Sequence, residues 1–347
     1  MKLAIIGDSH FGVKKNNPVF LNSQLRFFND QFFPYIEKNN IDTIIYLGDF
    51  WDNRNTININ VLNEIDKLII KQFNKYNTYI LVGNHDTFMR STIDIHSLKL
   101  FRHLKNITIV DETMQIDLDG KSCLLVPWQV DNKEFIKKVA DKNLYNDLCF
   151  GHFEINGFNL NNTKVCDFGI LPDVFFNNYG ITFSGHFHCR KKLERDEKII
   201  QYIGSPYELT RADINQEKGF VVLDTDTMKY EFINNNISIK HKQFTYPEEF
   251  KKEDIIGNIV DVVVDIGNDH DEKEFQKYML EIDSYSPYTV DLKLLNNVDI
   301  QSKSDYNVQT TEELIEEYIN DTDYDDKTKK MIIPKLNSLY KQCKQEG

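Results

Sequence analysis

In the first half of the chain, runs of β-branched and aromatic residues recur, and each ends abruptly in glycine and polar groups. Lys2–Gly7 reads as a buried strand that delivers Asp8-Ser9-His10. Residues 22–39 have helical spacing, with Pro34 expected to kink or divide them. Thr43–Leu47 predicts a second buried strand and runs into Gly48-Asp49-Phe50-Trp51-Asp52. A helix is predicted over 57–75, with Val61, Leu62, Ile65, Leu68 and Ile69 on one face. The strand 78–82 then delivers Gly83-Asn84-His85-Asp86. Strand–helix alternation of this kind predicts an α/β layered domain with its functional loops at one sheet edge.

Further on, 107–127 reads as short strands with a hairpin turn at Asp119-Gly120. Gly120-Lys121-Ser122 imitates the end of a phosphate-cradling loop, but Gln115 stands where the first glycine is required, so a turn is the better reading. Leu148-Cys149-Phe150 leads to Gly151-His152, and Ile181-Thr182-Phe183 leads to Gly185-His186-Phe187-His188. Segments 198–203, 219–224 and 229–233 read as strands completing the sheets. The chain turns polar over 245–257, a domain boundary. Strand, helix, strand over 258–266, 271–283 and 288–295 then predict a small α+β module. The expected organisation is a catalytic domain at 1–245, the module at 258–300 and a helical tail at 308–347. The tail is acidic over 311–327, and its apolar residues, among them Leu314, Ile319, Ile332 and Leu336, recur at helical spacing. Short helices of this kind are marginal alone and need a surface to pack on.

With 347 residues the chain has room for one large and one smaller domain. Its 41 basic and 54 acidic residues give a formal charge of −13. This argues against coating nucleic acid through bulk charge, but it does not exclude a nuclease, because charges beyond about 8 Å are largely screened in physiological salt. No apolar run approaches the roughly 18 residues of a membrane span, and the N-terminal run is too short for a signal peptide. The expected location is the cytoplasm, the host's if the chain is phage-encoded. The five cysteines form no Cys-x-x-Cys pair, as in a protein with reduced thiols. Cys189, Trp51 and Phe187 are read as packing residues, and His96, His103, His241 and His270 as ordinary polar groups.

Asp8, His10, Asp49, Asn84, His152, His186 and His188 remain as a donor set. Carboxylates and imidazoles without cysteine suit Mn(II), Fe(II) or Zn(II) at a working site better than a structural zinc, and an amide oxygen such as that of Asn84 can join them without adding charge. Seven donors exceed the needs of one ion, so two are expected, the arrangement that hydrolyses phosphoesters. His85 is left to face a phosphate as general acid or cation. Asp86 is a candidate to orient its imidazole, with a helix cap as the alternative. Arg54, Arg190, Lys191 and Lys192 are either solvated side chains or contacts for a phosphate backbone. Lys14, Lys15 and Arg90 carry the same two readings.

The ordered set Asp-x-His, Gly-Asp-x-x-Asp, Gly-Asn-His-Asp, Gly-His and Gly-His-x-His, at 8–10, 48–52, 83–86, 151–152 and 185–188, resembles the calcineurin-like metallophosphoesterases. The resemblance implies a four-layer sandwich, two mixed sheets flanked by helices. It also implies one ion held by Asp8, His10, Asp49 and His188, a second held by Asp49, Asn84, His152 and His186, and His85 as the catalytic histidine. Tyr202-Ile203-Gly204-Ser205-Pro206 looks like a stretch of the SbcD-type nucleases of double-strand-break repair. Gly157-Phe158, the 219–233 segment, the module and the tail are similar to the recombination endonuclease subunit of T-even-type phages. That likeness implies DNA as substrate, manganese, a homodimer and an SbcC-type coiled-coil ATPase bound by the tail, with 258–300 as a capping module. Helices 22–39 and 57–75 are the candidate dimer surfaces. The alternative is a stand-alone phosphatase or small-molecule phosphodiesterase on the same fold, and a third reading is a scaffold that recruits an ATPase through its tail.

Overall fold

The computed structural model describes residues 1–89, 91–140, 146–158, 165–265, 271–295, 319, 329 and 332–336. Met1–Leu295 forms one compact unit and Asn296–Gly347 a second. In the second unit, 332–336 is helical and Ile319 is buried. The expected tail lies largely outside the described residues, as do Arg90 and His270.

The first sheet runs, edge to edge, Lys229–Asn234, Gly219–Asp224, Lys2–Ile6, Thr43–Tyr46, Asn77–Leu81, Ile107–Val110. The last four of these are mutually parallel, and the first two add antiparallel at one edge. The second sheet runs Lys191–Arg195, Lys198–Tyr202, Tyr179–Gly185, Asn146–His152, Lys121–Val126, Met114–Leu118. It has a parallel centre and antiparallel edges. The period-2 alternation of strand side chains decides the layers. Leu3, Ile5, Ile45 and Leu81 meet Leu125, Leu148, Phe150 and Phe183 between the sheets. Ala4, Ile6, Ile44 and Ile80 point the other way, into a cluster with Phe27, Phe28, Ile65, Ile69 and Phe73 of the helices. On the far face of the second sheet, Cys149 and Tyr202 pack with Phe135, Phe175 and Phe176. The result is the expected four-layer sandwich.

The 22–39 helix is divided: Pro18–Phe27 and Phe33–Lys38 flank a wider turn at Phe28–Phe32. Pro34 has no N–H to continue the ladder. The 57–75 segment is interrupted in the same way, between Ile59–Ile65 and Lys71–Phe73. Asp119 and Gly120, both at positive φ, turn the hairpin between Met114–Leu118 and Lys121–Val126.

A third, all-parallel sheet joins His241–Thr245, Ile259–Asp265 and Thr289–Leu295, with the helix Glu272–Ser284 crossing over between the last two. Its first strand precedes residue 245, so the module's sheet reaches back across the boundary expected from composition. Polarity marks where the chain is wet, not which sheet a strand joins. The module has its own apolar cluster of Phe244, Tyr246, Ile255, Val260, Val262, Val264 and Ile282. Ile259 and Tyr288 pack on the main core instead.

Candidate metal centre

The parallel strands of both sheets end on the same side of the sandwich, and their C-terminal ends carry the expected donors. Asp8, His10, Asp49 and His186 all sit at positive φ, between 47° and 84°. Such backbone is sparsely populated by non-glycine residues and persists only where surrounding structure enforces it. Two glycines permit the approach. A Cβ on Gly83 would lie 2.2 Å from the Asp49 nitrogen, and one on Gly48 would lie 2.6 Å from His152 Nδ1 and 2.9 Å from the Gly83 Cα. The loops after the second and third parallel strands can therefore touch only as glycine against glycine.

Three donor groups result: His10 with Asp52 and His85, and two that Asp49 joins, one of Asp8, His10 and His188 and one of Asp49, His152 and His186. Asp49 spans these two, with Oδ1 3.4 Å from His152 Nε2 and Oδ2 3.6 Å from His10 Nε2. Asn84 Oδ1 lies 2.9 Å from both His152 Nε2 and His186 Nδ1. His10 Nε2 and His188 Nε2 face each other at 3.1 Å. Asp8, His10, Asp49, Asn84 and His152 are buried, and Asp8 Oδ2 has no hydrogen-bond partner. Imidazole nitrogens aimed at one another beside an orphaned carboxylate oxygen form a poor hydrogen-bond network but a good cation site. The donor set fits a pair of divalent ions sharing Asp49.

The charges strain against burial. Burial, opposed by His152 and helped by the Asp49 charge, pushes Asp8 up to about 6. Burial disfavours the Asp49 charge, yet His152 holds that carboxyl well below its usual range. Burial likewise opposes a proton on His152, but Asp49 raises it to about 9. Burial and then the neighbouring His10 drive His188 down to about 3, so its lone pair stays available.

His85 lies beside these groups, its ring 4.7 Å from that of His10 and nearly perpendicular to it. Its backbone N–H donates to Asp49 Oδ1 at 2.8 Å, and Nδ1 is 2.7 Å from the Asp52 carbonyl oxygen. That oxygen can only accept, so Nδ1 carries the hydrogen and Nε2 is left for a ligand. Asp86 does not orient the imidazole, contrary to expectation. Its carboxylate accepts from the N–H groups of Phe50, Trp51 and Gly83, each at about 3 Å, and so ties the Asp49 loop to the Asn84 loop. Backbone donors at a tight loop outcompete a side chain pointing away. The Asp52 carbonyl takes the orienting role.

Burial above all disfavours a proton on His85, and the charges of His10 and then Arg54 add to it. Arg190 is no surface contact. Its side chain is 11% exposed, lies 4.3 Å over the Phe232 ring and donates to Asn234 Oδ1 at 2.5 Å. Burial lowers it to about 10. Its aliphatic stem and planar head suit an aromatic slot better than water. Lys191 and Lys192 are exposed on the edge strand Lys191–Arg195, Lys192 pairing with Glu194 at 2.7 Å. Trp51 and Phe187 are packed, Cys189 is buried, and His96 and His241 pair with Asp111 and Glu208.

Sequence reasoning missed the support behind His188. Lys218, buried, donates to the His188 carbonyl at 2.7 Å, to Ser205 Oγ at 3.1 Å and to Asp213 Oδ1 at 2.6 Å. The Ser205 N–H also donates to the His188 carbonyl. A Cβ on Gly204 would lie 2.8 Å from that same oxygen. The Tyr202–Pro206 stretch was therefore a signal for this contact, but Asp213 and Lys218 carried none. Glu154, 3.3 Å from His186 Nε2, and Trp128, whose ring centroid is 5.3 Å from that of His186, were also missed.

A two-carboxylate, four-imidazole, one-amide centre at the rim of a four-layer sandwich defines a metallophosphoesterase. The chain belongs to the calcineurin-like phosphoesterase family, whose profile matches residues 1–190. It is similar end to end to Exonuclease subunit 1 of Enterobacteria phage T4, with 29% identity across 99% of this chain and 100% of that protein. Two candidate phosphoesterases match less of it. One, from Invertebrate iridescent virus 3, is 26% identical over 59% of this chain and 57% of its own length. The other, from Invertebrate iridescent virus 6, is 25% identical over 64% and 75%. Among the described residues, no helix is long and apolar enough to cross a membrane.

Proposed function

We propose that this chain is the metal-dependent DNA exo/endonuclease subunit of a recombination and double-strand-break-repair complex. The observation that carries this reading is the end-to-end similarity to the T4 exonuclease subunit, which extends past the phosphoesterase domain through the module and tail. Asp8, His10, Asp49 and His188 would hold one ion, and Asp49, Asn84, His152 and His186 the other, with manganese the metal. Such ions supply Lewis acidity to a phosphate and a water acidified to near neutrality. The chain's own part is positional. Asp49 holds the two donor groups in register, Asp86 clamps the loops that carry Asp49 and Asn84, and Asp52 turns His85 so that Nε2 meets the leaving oxygen.

The remaining assignments belong to the same reading, which that similarity supports. The 258–300 region caps the DNA, 308–347 lays its apolar stripe in the groove of an SbcC-type coiled-coil ATPase, and the chain works as a homodimer. Lys191 and Lys192, exposed on their edge strand, would meet the phosphate backbone.

The test is hydrolysis by the purified chain, first in Mn(II) and then in EDTA, of end-labelled DNA and a small phosphate monoester. Shortening of DNA in Mn(II) alone, with little monoester turnover, is expected. Efficient monoester turnover with intact DNA would move the chain to the stand-alone phosphatases. In the His85→Ala variant, DNA cleavage should fall by about 10²–10⁴-fold with bound metal unchanged. Normal cleavage would remove His85 from the reaction.

A further inference from the structure

Behind the second donor group stands a carboxylate, that of Glu154, with no part in the proposed reaction. His186 turns Nδ1 to the centre, 2.9 Å from Asn84 Oδ1, and Nε2 outward, 3.3 Å from Glu154 Oε1. His152 is arranged in the same manner. Its Nε2 faces Asn84 Oδ1 at 2.9 Å, and its Nδ1, 2.7 Å from the Leu47 carbonyl oxygen, carries the hydrogen. Each imidazole thus gives one nitrogen to the centre and the other to an oxygen behind it. For His152 that oxygen is backbone; for His186 it belongs to an acidic side chain.

The fold fixes Glu154 from both sides along the chain. The Phe153 N–H donates to Ser184 Oγ at 3.1 Å, and the Tyr202 hydroxyl donates to the Phe153 carbonyl at 2.8 Å while accepting from the Ile155 N–H at 3.1 Å. The Glu154 carbonyl accepts from the Ile170 N–H at 2.8 Å, beside a glycine at 169 where a Cβ would lie 2.4 Å from that oxygen. The Tyr202 ring also stacks on Phe187, next to His186, at 4.7 Å between centroids. One tyrosine therefore ties the loop that carries the carboxylate to the loop that carries the imidazole. Trp128 and Phe187 pack on the His186 ring, their centroids 5.3 and 5.1 Å away. The His186 and Glu154 side chains are only 16% and 28% exposed, so their contact is screened less than a surface pair.

We propose that Glu154 is a positioning residue for the second ion. It accepts the hydrogen of His186 Nε2, which leaves the Nδ1 lone pair for the metal, fixes the ring's orientation and makes the imidazole a stronger donor. Carboxylates behind ligating histidines act in this way. The inference rests on the two-ion reading above.

The test reads metal binding rather than turnover. Mn(II) alone is titrated calorimetrically into metal-free, full-length wild type, Glu154→Ala and Glu154→Gln. Wild type should take up two ions. Glu154→Ala should weaken one of them by about 10–100-fold and leave the other unchanged. Glu154→Gln, whose amide oxygen can still accept the bond, should recover most of that loss, which a role through charge alone would not give. With Zn(II) in place of Mn(II) and isotopically labelled histidine, NMR should find a hydrogen on His186 Nε2, assigned by its absence from His186→Gln. In Glu154→Ala that hydrogen should exchange faster with solvent. Equal affinities in wild type and Glu154→Ala, an affinity in Glu154→Gln no better than in Glu154→Ala, or a His186 Nε2 without hydrogen would overturn the proposal. A wild type that binds a single ion would remove the second site and the inference with it. A wild type that binds two ions, meets these expectations and cuts no DNA would instead overturn the nuclease reading and leave the role of Glu154 standing.

Discussion

The rim of the sandwich and the small C-terminal module sit in one compact unit but are built on opposite terms. At the rim, four donor-bearing residues hold positive φ, glycine faces glycine, and carboxylates and imidazoles are buried against their own electrostatic preference. In the module, regular parallel strands enclose an apolar cluster, and among its described residues positive φ falls only at Gly257 and Ser286, outside its strands and helix. One buried carboxylate, Asp261, ties the module to the main body, accepting from Arg211 Nε at 2.8 Å and from Lys293 Nζ at 2.6 Å. Arg211 also meets Asp291. The lesson is that strain collects where donor atoms must converge, while a module that serves as a platform needs only ordinary packing and a well-placed ion pair.

The contrast breaks most sharply at Asp49, the group shared by both donor sets. Asp49→Ala should reduce metal-dependent diester hydrolysis by about 10³-fold or more, on the scale of losing a preorganised electrostatic contact. Calorimetry should show bound divalent metal falling with it. A variant that keeps both ions would separate the donor groups that Asp49 joins here.

Lys218→Ala comes next. It strands Asp213, whose burial opposes charge but whose carboxyl Lys218 holds below its usual range. Removing one partner of a buried pair costs about 3–5 kcal/mol, read by urea denaturation. Because Lys218 also grips the His188 carbonyl, metal affinity in the variant still folded should drop by about 10–100-fold.

Asp261→Asn sharpens the module's side of the comparison. Burial alone would raise the Asp261 carboxyl, but the hydrogen bonds from Arg211 and Lys293 outweigh it and hold it below its usual value. The unfolded chain therefore takes up this proton first as pH falls. The stabilisation is complete above about pH 4 and is lost as pH drops through the folded value. Asp261→Asn should cost about 1–2 kcal/mol at neutral pH, the exposed Arg211 end being screened. Its deficit against wild type should shrink in acid, with Mn(II)-dependent turnover of a small diester retained.

The smallest effect belongs to Lys191 and Lys192. Replacing either by alanine should weaken DNA binding about equally for all sequences and lower the salt slope by about 1, measured by fluorescence anisotropy from 50 to 200 mM salt. An unchanged slope would return that strand to the solvated surface.

Much of the site was legible because each motif is a contiguous event: an apolar strand, a glycine that lets the chain turn, and a donor. Five such events, read in order, located Asp8, His10, Asp49, Asn84, His85, His152, His186 and His188, and the alternation of strand and helix announced the layered fold. The boundary near 245 was less legible, since polarity does not say that His241–Thr245 pairs with Ile259–Val263. Asp86 and Arg190 were misread for a related reason. A carboxylate beside a histidine and an arginine in a basic run look the same in sequence whether they face a ligand, a loop's N–H groups or a phenylalanine ring.

By itself, then, the sequence determined which donors exist, the strand ends that present them and the phosphoesterase family to which they belong. The resemblance grouped Asn84 with His152 and His186, but only the tertiary structure shows the contact itself, made across 68 and 102 residues of chain. The same holds for Lys218 behind His188 and for Glu154 beside His186. Local motifs follow from the geometry of a strand and its turn. Convergence depends on two sheets packing face to face through Leu3, Ile5, Phe150 and Phe183, and no short window of sequence contains that contact.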